Sequence, residues 1–126
     1  MNYEAKAIEM VMDFSVTIEK WFCGDESLTV EQLLQYFSTD FEMIGAAGKT
    51  MNFTQLADWL PGVKGAKPGI QISMKQQAVM STFYYTLVYY EEVQQQEEVI
   101  NTRRSSALFR LEDGALKWWR LTEEWV

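Results

Sequence analysis

The sequence predicts an α+β fold, and three observations predict it. Helical periodicity and helix caps fill the first half of the chain, long strand-like stretches fill the second, and an Asp113-Gly114 turn joins the last two of them. Residues 2–22 read as an amphipathic helix, because Ala5, Ile8, Met12, Ser15, Ile18 and Phe22 recur at three- and four-residue spacing. Gly24 supplies its stop. Thr29-Val-Glu-Gln32 has the spacing of a capping box and opens a short helix through Leu33, Leu34 and Phe37. From Phe41, FEMIG, a Gly-Ala bend and KTM predict a small hairpin closing near Gly48. Asn52 is a good N-cap for a third helix, FTQLADWL, ending at Pro61-Gly62.

After a Pro/Gly-rich loop at 61–69, four strands are expected at 70–80, 82–93, 99–112 and 115–125. Their turns fall near Ser81, at 94–98 and at Asp113-Gly114, where Asp-Gly suits a turn that needs positive φ. On the second of these strands Phe83, Tyr85, Leu87 and Tyr89 share one face, and Tyr84, Val88 and Tyr90 the other. A sheet with one solvated face alternates apolar and polar residues, so both faces of this strand are expected to be covered. Helices would meet one face, and a second copy of the chain the other.

Composition bounds the function. At 126 residues the chain fits one domain, 1–126, and can close a core without staples. A net charge of -7 repels phosphate backbones and anionic membrane surfaces, and Arg103-Arg104 is the sole adjacent basic pair. Nucleic acid and membrane are therefore not expected partners. Cys23 is alone, which rules out an intrachain disulfide and suits a reducing, cytoplasmic setting; its bland reading is a small buried hydrophobe. The first residues do not read as a signal peptide, and no stretch approaches a membrane span.

The absence of histidine excludes Ser-His-Asp and Cys-His catalysis and nearly every imidazole-based metal site. Acid–base work falls to Asp, Glu, Tyr, Lys or Cys. With no phosphate-cradling glycine loop, nucleotide fingerprint or metal-ligand cluster, no cofactor and no metal are expected.

Counting outward from the Asp113-Gly114 turn sets Phe109 against Trp118, Leu108 against Trp119, Arg104 against Glu123 and Arg103 against Glu124. One face of the hairpin would then carry Arg104, Ser106, Leu108, Trp119, Leu121, Glu123 and Trp125. The expected Arg104–Glu123 pair reads as a pocket floor or as a satisfied buried ion pair. Either way Arg104 would lower the pKa of Glu123 and keep it a carboxylate.

The run Asp40-Phe-Glu-Met-Ile-Gly-Ala-Ala-Gly48-Lys-Thr-Met-Asn52-Phe-Thr-Gln-Leu56 resembles the strand, glycine turn, strand and capped helix of SnoaL-like domains. Lys67-Pro-Gly-Ile-Gln-Ile-Ser73, Arg104-Ser-Ser-Ala107 and Leu121-Thr-Glu-Glu-Trp125 are similar to the later strands of a bacterial branch of that group. The resemblance to this part of the nuclear-transport-factor-2-like superfamily implies a cone. About three N-terminal helices would pack on a curved, mixed, mostly antiparallel sheet of about six strands, commonly in a homodimer.

The resemblance also places Glu123 and Trp125 in a Glu-x-Trp signature near a pocket. Thr122 stands where a histidine would be expected, which weighs against His-dependent dehydratase chemistry. The superfamily includes catalytic and non-catalytic proteins, so the fold does not fix the function. The leading expectation is a small-molecule-binding or accessory protein taking an apolar or amphipathic compound. Candidate pocket residues are Glu123, Arg104, Trp125, Trp119, Tyr85, Tyr89 and Glu42. The alternatives are a His-independent isomerase, cyclase or dehydratase, with Glu123 or Glu42 as base and a Tyr donor, and a purely structural dimerisation module. Tyr85 and Tyr89, or Tyr84 and Tyr90, would supply the donor on whichever face lines the cavity.

Overall fold

The computed structural model describes residues 3–126, the side chain of Gln76 excepted; Asn2, read above as helical, lies outside the described residues. Helix α1 spans Tyr3–Phe22, and Gly24, at φ +86°, ends it in the left-handed region that a residue without Cβ enters freely. Its buried face is rotated from the expected one. Ala7, Met10, Val11, Ser15, Ile18, Trp21 and Phe22 point inward, whereas Ala5 and Met12 are exposed. The large Trp21 sets this face, because its indole Nε1 donates to the Leu60 carbonyl at 2.9 Å and fixes the helix against its neighbour.

Helix α2 (Val30–Leu34) opens with the expected capping box, in which Gln32 N donates to Thr29 Oγ1 and Thr29 N donates to Gln32 Oε1. It stops at Leu34. Phe37 begins strand β1 (Phe37–Ile44), where its ring stacks on Trp118 with centroids 5.2 Å apart. After a turn closed by Gly45 N donating to Lys49 O at 2.8 Å, with Gly48 at φ +83°, comes the short strand β2 (Thr50–Asn52). Asn52 caps helix α3 (Phe53–Val63), again reciprocally with Gln55. That helix runs through Pro61 rather than ending there; a proline in the final turn removes only one backbone hydrogen bond.

Strands β3 (Gln71–Ser81), β4 (Tyr85–Gln96), β5 (Val99–Glu112) and β6 (Ala115–Trp125) complete one six-stranded sheet in the order β2-β1-β6-β5-β4-β3. β1 runs parallel to β6, and every other neighbouring pair is antiparallel. The sheet is thus mixed and mostly antiparallel, curved around helices on one face in a cone.

β4 begins and ends three residues later than expected. Thr82 closes the turn by donating its N–H to Tyr85 O at 2.8 Å, which leaves Phe83 and Tyr84 in the connection at 88% and 69% exposure. At the other end the glutamines stay in the strand. Gln94 is buried and donates to Glu92 at 2.7 Å, Gln96 donates to Pro68 O at 2.9 Å, and the chain turns at Glu97-Glu98 with Glu97 at φ +56°.

The register of β5 and β6 decides the site. Glu112 pairs with Ala115 and Phe109 with Trp118, as counted from the Asp-Gly turn, and Leu108 then pairs with Arg120. Trp119 is the extra residue of a β-bulge, and a one-residue insertion flips every later partner to the other parity. Glu123 therefore pairs with Ser105, and Arg104 with Glu124, which corrects the expected Arg104–Glu123 pairing. On the helix-facing side Phe14, Phe37, Phe41, Phe109 and Trp118 form a continuous aromatic cluster, with the successive Phe14–Phe37, Phe37–Phe41 and Phe109–Trp118 centroids 4.7–5.1 Å apart. Each such ring removed from water contributes roughly 1.5–3 kcal/mol.

Candidate functional site

Between the helices and the concave sheet lies a cavity of about 290 Å³. Phe14, Ser15, Ile18 and Phe22 of α1 and Leu56, Trp59 and Leu60 of α3 form its roof. Phe37, Phe41 and Met43 of β1 and Trp118 and Leu121 of β6 form its apolar floor.

The floor becomes polar toward one end, and the register explains how. Cross-strand rows on the inner face run Thr86–Phe109–Trp118, Val88–Ala107–Leu121, Tyr90–Ser105–Glu123 and Glu92–Arg103–Trp125. Two apolar-dominated rows are followed by two polar ones. In the last row the Arg103 guanidinium lies between Glu92 and Glu123, at 3.7 Å from a carboxylate oxygen of each, and over the Trp125 ring at 4.9 Å. All three charged side chains are 11–16% exposed. A separation of 3.7 Å exceeds a hydrogen bond. Among the described residues Arg103 Nε accordingly has no hydrogen-bond partner.

The electrostatics follow from this geometry. Burial raises the pKa of Glu123 from its ordinary 4.5 to about 7; Glu92 adds to the rise, and Arg103 offsets it only in part. The direction is opposite to that expected from a tight Arg104 pair. Tyr90, 4% exposed, is pushed well above the ordinary phenol value by burial and by Glu92 and Glu123, so it stays a neutral hydrogen-bonding group. At the mouth, burial and the nearby Arg103 lower the pKa of Lys67, whose Nζ sits over the Phe22 ring at 4.6 Å. Among the described residues no group of three His, Cys, Asp or Glu side chains is placed to hold a metal ion. Cys23 is exposed rather than buried, with its thiol directed at the Lys67 and Ile70 carbonyls.

Of the residues singled out from sequence, Glu123 lines the cavity, and Trp125 covers Arg103 from the edge while half exposed. The other five lie on the outer face. Trp119 faces outward, stacked on Tyr85 at 5.4 Å and covered by Arg110 and Arg120. Arg104 and Tyr89 line a shallow outer groove, and Glu42 pairs with Arg120 at 3.6 Å. Arg103, Glu92, Gln94 and Ser105 escape the sequence reading. The parity of Glu92 and Gln94 follows from Tyr90 and that of Ser105 and Arg103 from Phe109, but Glu123 joins their face only through the bulge in β6, which a regular strand count does not contain.

A curved mixed sheet closed over by three helices, with a pocket at its concave face, is the nuclear-transport-factor-2-like cone fold. No protein-family model and no curated protein matches the sequence. Solved structures do match. An NTF2-like protein of unknown function from Pseudomonas aeruginosa superposes with a TM-score of 0.88 at 24% identity, covering 95% of this chain and 98% of that one. An NTF2-like protein from Cytophaga hutchinsonii matches over 100% of both chains at 15% identity and a TM-score of 0.71. A protein from Parabacteroides distasonis assigned provisionally as a ketosteroid isomerase matches at 12% identity, with 88% and 84% coverage and a TM-score of 0.64. At these identities the likeness is one of fold.

Proposed function

We propose that this chain is a small-molecule-binding protein whose ligand occupies the cone, its apolar body against Phe41, Leu56, Leu60 and Leu121 and its polar head at Glu123, Tyr90 and Arg103. The observation that carries the reading is the cavity itself: an apolar pocket with a few convergent polar groups at one end suits a compact amphipathic compound. The same cavity counts against a purely structural module whose cone is filled by its own side chains. An NMR titration with neutral two-ring compounds tests it. Shifts are expected at Phe41, Leu56, Tyr90 and Leu121; their absence at millimolar ligand would remove the proposal.

One observation favours catalysis as a second reading. Glu123 titrates near neutrality on the same cross-strand row as the neutral phenol Tyr90. The ionised Glu123 would take a proton from carbon next to a substrate carbonyl, Tyr90 would donate a hydrogen bond to the enolate oxygen, and protonated Glu123 would return the proton. Deuterium exchange into a bound ketone, lost in Glu123→Gln and weakened in Tyr90→Phe, is the expected signature. A rate equal to that of buffer alone would exclude it.

The outer sheet face supports a homodimer, because Met80, Tyr85 and Tyr89 are exposed there beside the Trp119 stack. Sedimentation equilibrium should return twice the chain mass, and a monomer at high concentration would refute it. A reducing compartment suits a chain whose one cysteine is free, and no helix among the described residues is long and apolar enough to cross a membrane.

A further inference from the structure

We propose that the cavity takes a monocarboxylate on an apolar body of about two fused rings, its anionic head accepting from Lys67 at the mouth, with Arg103 nearby. The inference rests on the small-molecule reading above and names the head group. Lys49, Lys67 and Arg103 line the cavity against two carboxylates, Glu92 and Glu123, in a chain whose net charge is -7. Cations outnumber carboxylates there, although the chain as a whole is acidic.

Lys67 is the cation left without a partner. Its Nζ rests over the Phe22 ring at 4.6 Å, and among the described residues it makes no hydrogen bond and no ion pair. Burial and Arg103 lower its pKa, and the attraction of Glu92 is the weakest of the three influences. A half-buried ammonium against an apolar wall is stabilised by an anion that reaches it. The other charged and titratable groups around it are committed or screened. Arg103 already lies between Glu92 and Glu123, 3.7 Å from each. Glu19 of α1 accepts from Ile72 N at 2.6 Å, and the Cys23 thiol faces the Lys67 carbonyl rather than its ammonium. Tyr90 is neutral, Lys64 lies over Trp21, and Lys49 is exposed on the β1–β2 turn, where solvent screens it.

Hydrogen-bonding capacity points the same way. Among the described residues of the lining, Arg103 Nε and Trp118 Nε1 are buried without a partner, and both are donors. The pocket is therefore short of acceptors, and a carboxylate brings two oxygens and a charge. An ammonium would bring only donors, and the guanidinium already fills the space between the two glutamates. A neutral alcohol would offer one oxygen and leave Lys67 unbalanced. The body is bounded by volume: about 290 Å³ is roughly twice a cavity that holds one benzene ring.

The pH dependence has a definite sign. With Glu123 protonated, Arg103 and Glu92 balance each other and Lys67 is the charge left over. Once Glu123 ionises it repels the ligand, so carboxylate affinity falls as pH rises through about 7.

Isothermal titration of the full chain with 2-naphthoate, 2-naphthylmethanol and 2-naphthylmethylamine at mildly acid pH tests the assignment. Naphthoate should bind about tenfold tighter than the alcohol, and the amine more weakly than either. Lys67→Met keeps the stem over Phe22 and removes the charge. With its fold checked by a thermal melt, it should bring naphthoate down to the alcohol's affinity and leave the alcohol unchanged. If the alcohol or the amine matches naphthoate, or if Lys67→Met spares naphthoate or weakens both compounds equally, the carboxylate assignment is wrong and the pocket reading stands. If none of the three binds at millimolar concentration, both are wrong.

Discussion

The sheet carries two clusters of the same composition, one arginine and two carboxylates, and they behave oppositely. On the outer face Arg110 donates to Glu112 at 2.6 Å and to Asp40 at 2.8 Å, and the buried Ser38 hydroxyl gives Glu112 a further bond at 2.6 Å. On the inner face Arg103 stands 3.7 Å from both Glu92 and Glu123. Burial pushes both glutamates up. At Glu112 the bonds from Ser38 and Arg110 outweigh it and hold the pKa below the ordinary value, whereas at Glu123 nothing does and the pKa reaches about 7. Charge count alone does not distinguish a structural clamp from a reactive site. The number of short hydrogen bonds to the carboxylate does, and the outer cluster spends its charges tying β1 to β5 while the inner one keeps them available in a cavity.

The largest expected effect comes from removing each arginine. Arg103→Met would take the guanidinium away from the nearly buried Glu92 and Glu123 and should destabilise the fold by about 3–5 kcal/mol above neutral pH. Protonation of Glu123 relieves part of that in acid. Arg110→Met should cost only about 1 kcal/mol, because Asp40 is largely solvated. Urea melts at two pH values measure both; equal losses would mean that the inner cluster is not desolvated as its burial implies.

Next comes the pH dependence of Glu123. Its carboxyl is protonated in the folded state at pH values where the unfolded chain has lost the proton. The fold therefore binds more protons between 4.5 and about 7, and the associated stability is present below that window and lost as pH rises through it. The penalty above the window is up to about 3 kcal/mol. Glu123→Gln removes it while Arg103 keeps Glu92 as partner, so the variant should be more stable than the parent by about 1–3 kcal/mol under mildly basic conditions and no more stable in acid. Glu112→Gln should show the opposite sign, costing about 1 kcal/mol at neutral pH, with the difference vanishing in acid as Glu112 itself protonates. A destabilised Glu123→Gln at high pH would show that Glu123 belongs to the structural kind of cluster after all.

These contrasts also mark where sequence reading works. Local chemistry is legible: the Thr29 capping box, the Asn52 N-cap, the Gly24 stop, the Asp113-Gly114 turn and the bounds of β5 and β6 follow from residue types that act within four positions of themselves. Glu123 is likewise visible as a carboxylate among Trp and Leu. Its partner is not, because the Trp119 bulge exchanges Arg104 for Arg103 and reverses the direction of its pKa shift. The adjacent pair Trp118-Trp119 is the available hint, since both rings need cover and take opposite faces, one against Phe37 and the other against Tyr85. The face of α1 and the late end of β4 fail for a related reason. Each is set by a distant contact, Trp21 with Leu60 and Gln96 with Pro68, which no local period encodes.

The smallest expected effect separates the clusters by mechanism rather than by size. At molar salt the screening length shrinks to about 3 Å, which weakens charges that solvent can reach and leaves desolvation untouched. The depression of Glu112 depends in part on Arg110 and on a solvated surface, so its pKa should drift upward by a few tenths of a unit in salt. The elevation of Glu123 begins with burial, and its charged neighbours are themselves nearly dry, so it should stay near 7. Carbon-detected NMR titration of the glutamate side chains at low and molar sodium chloride reads both groups in one sample. A Glu123 pKa that falls back toward 4.5 in salt would mean that water and ions already reach the polar end of the cone. The inner cluster would then differ from the outer one only in geometry, not in solvation.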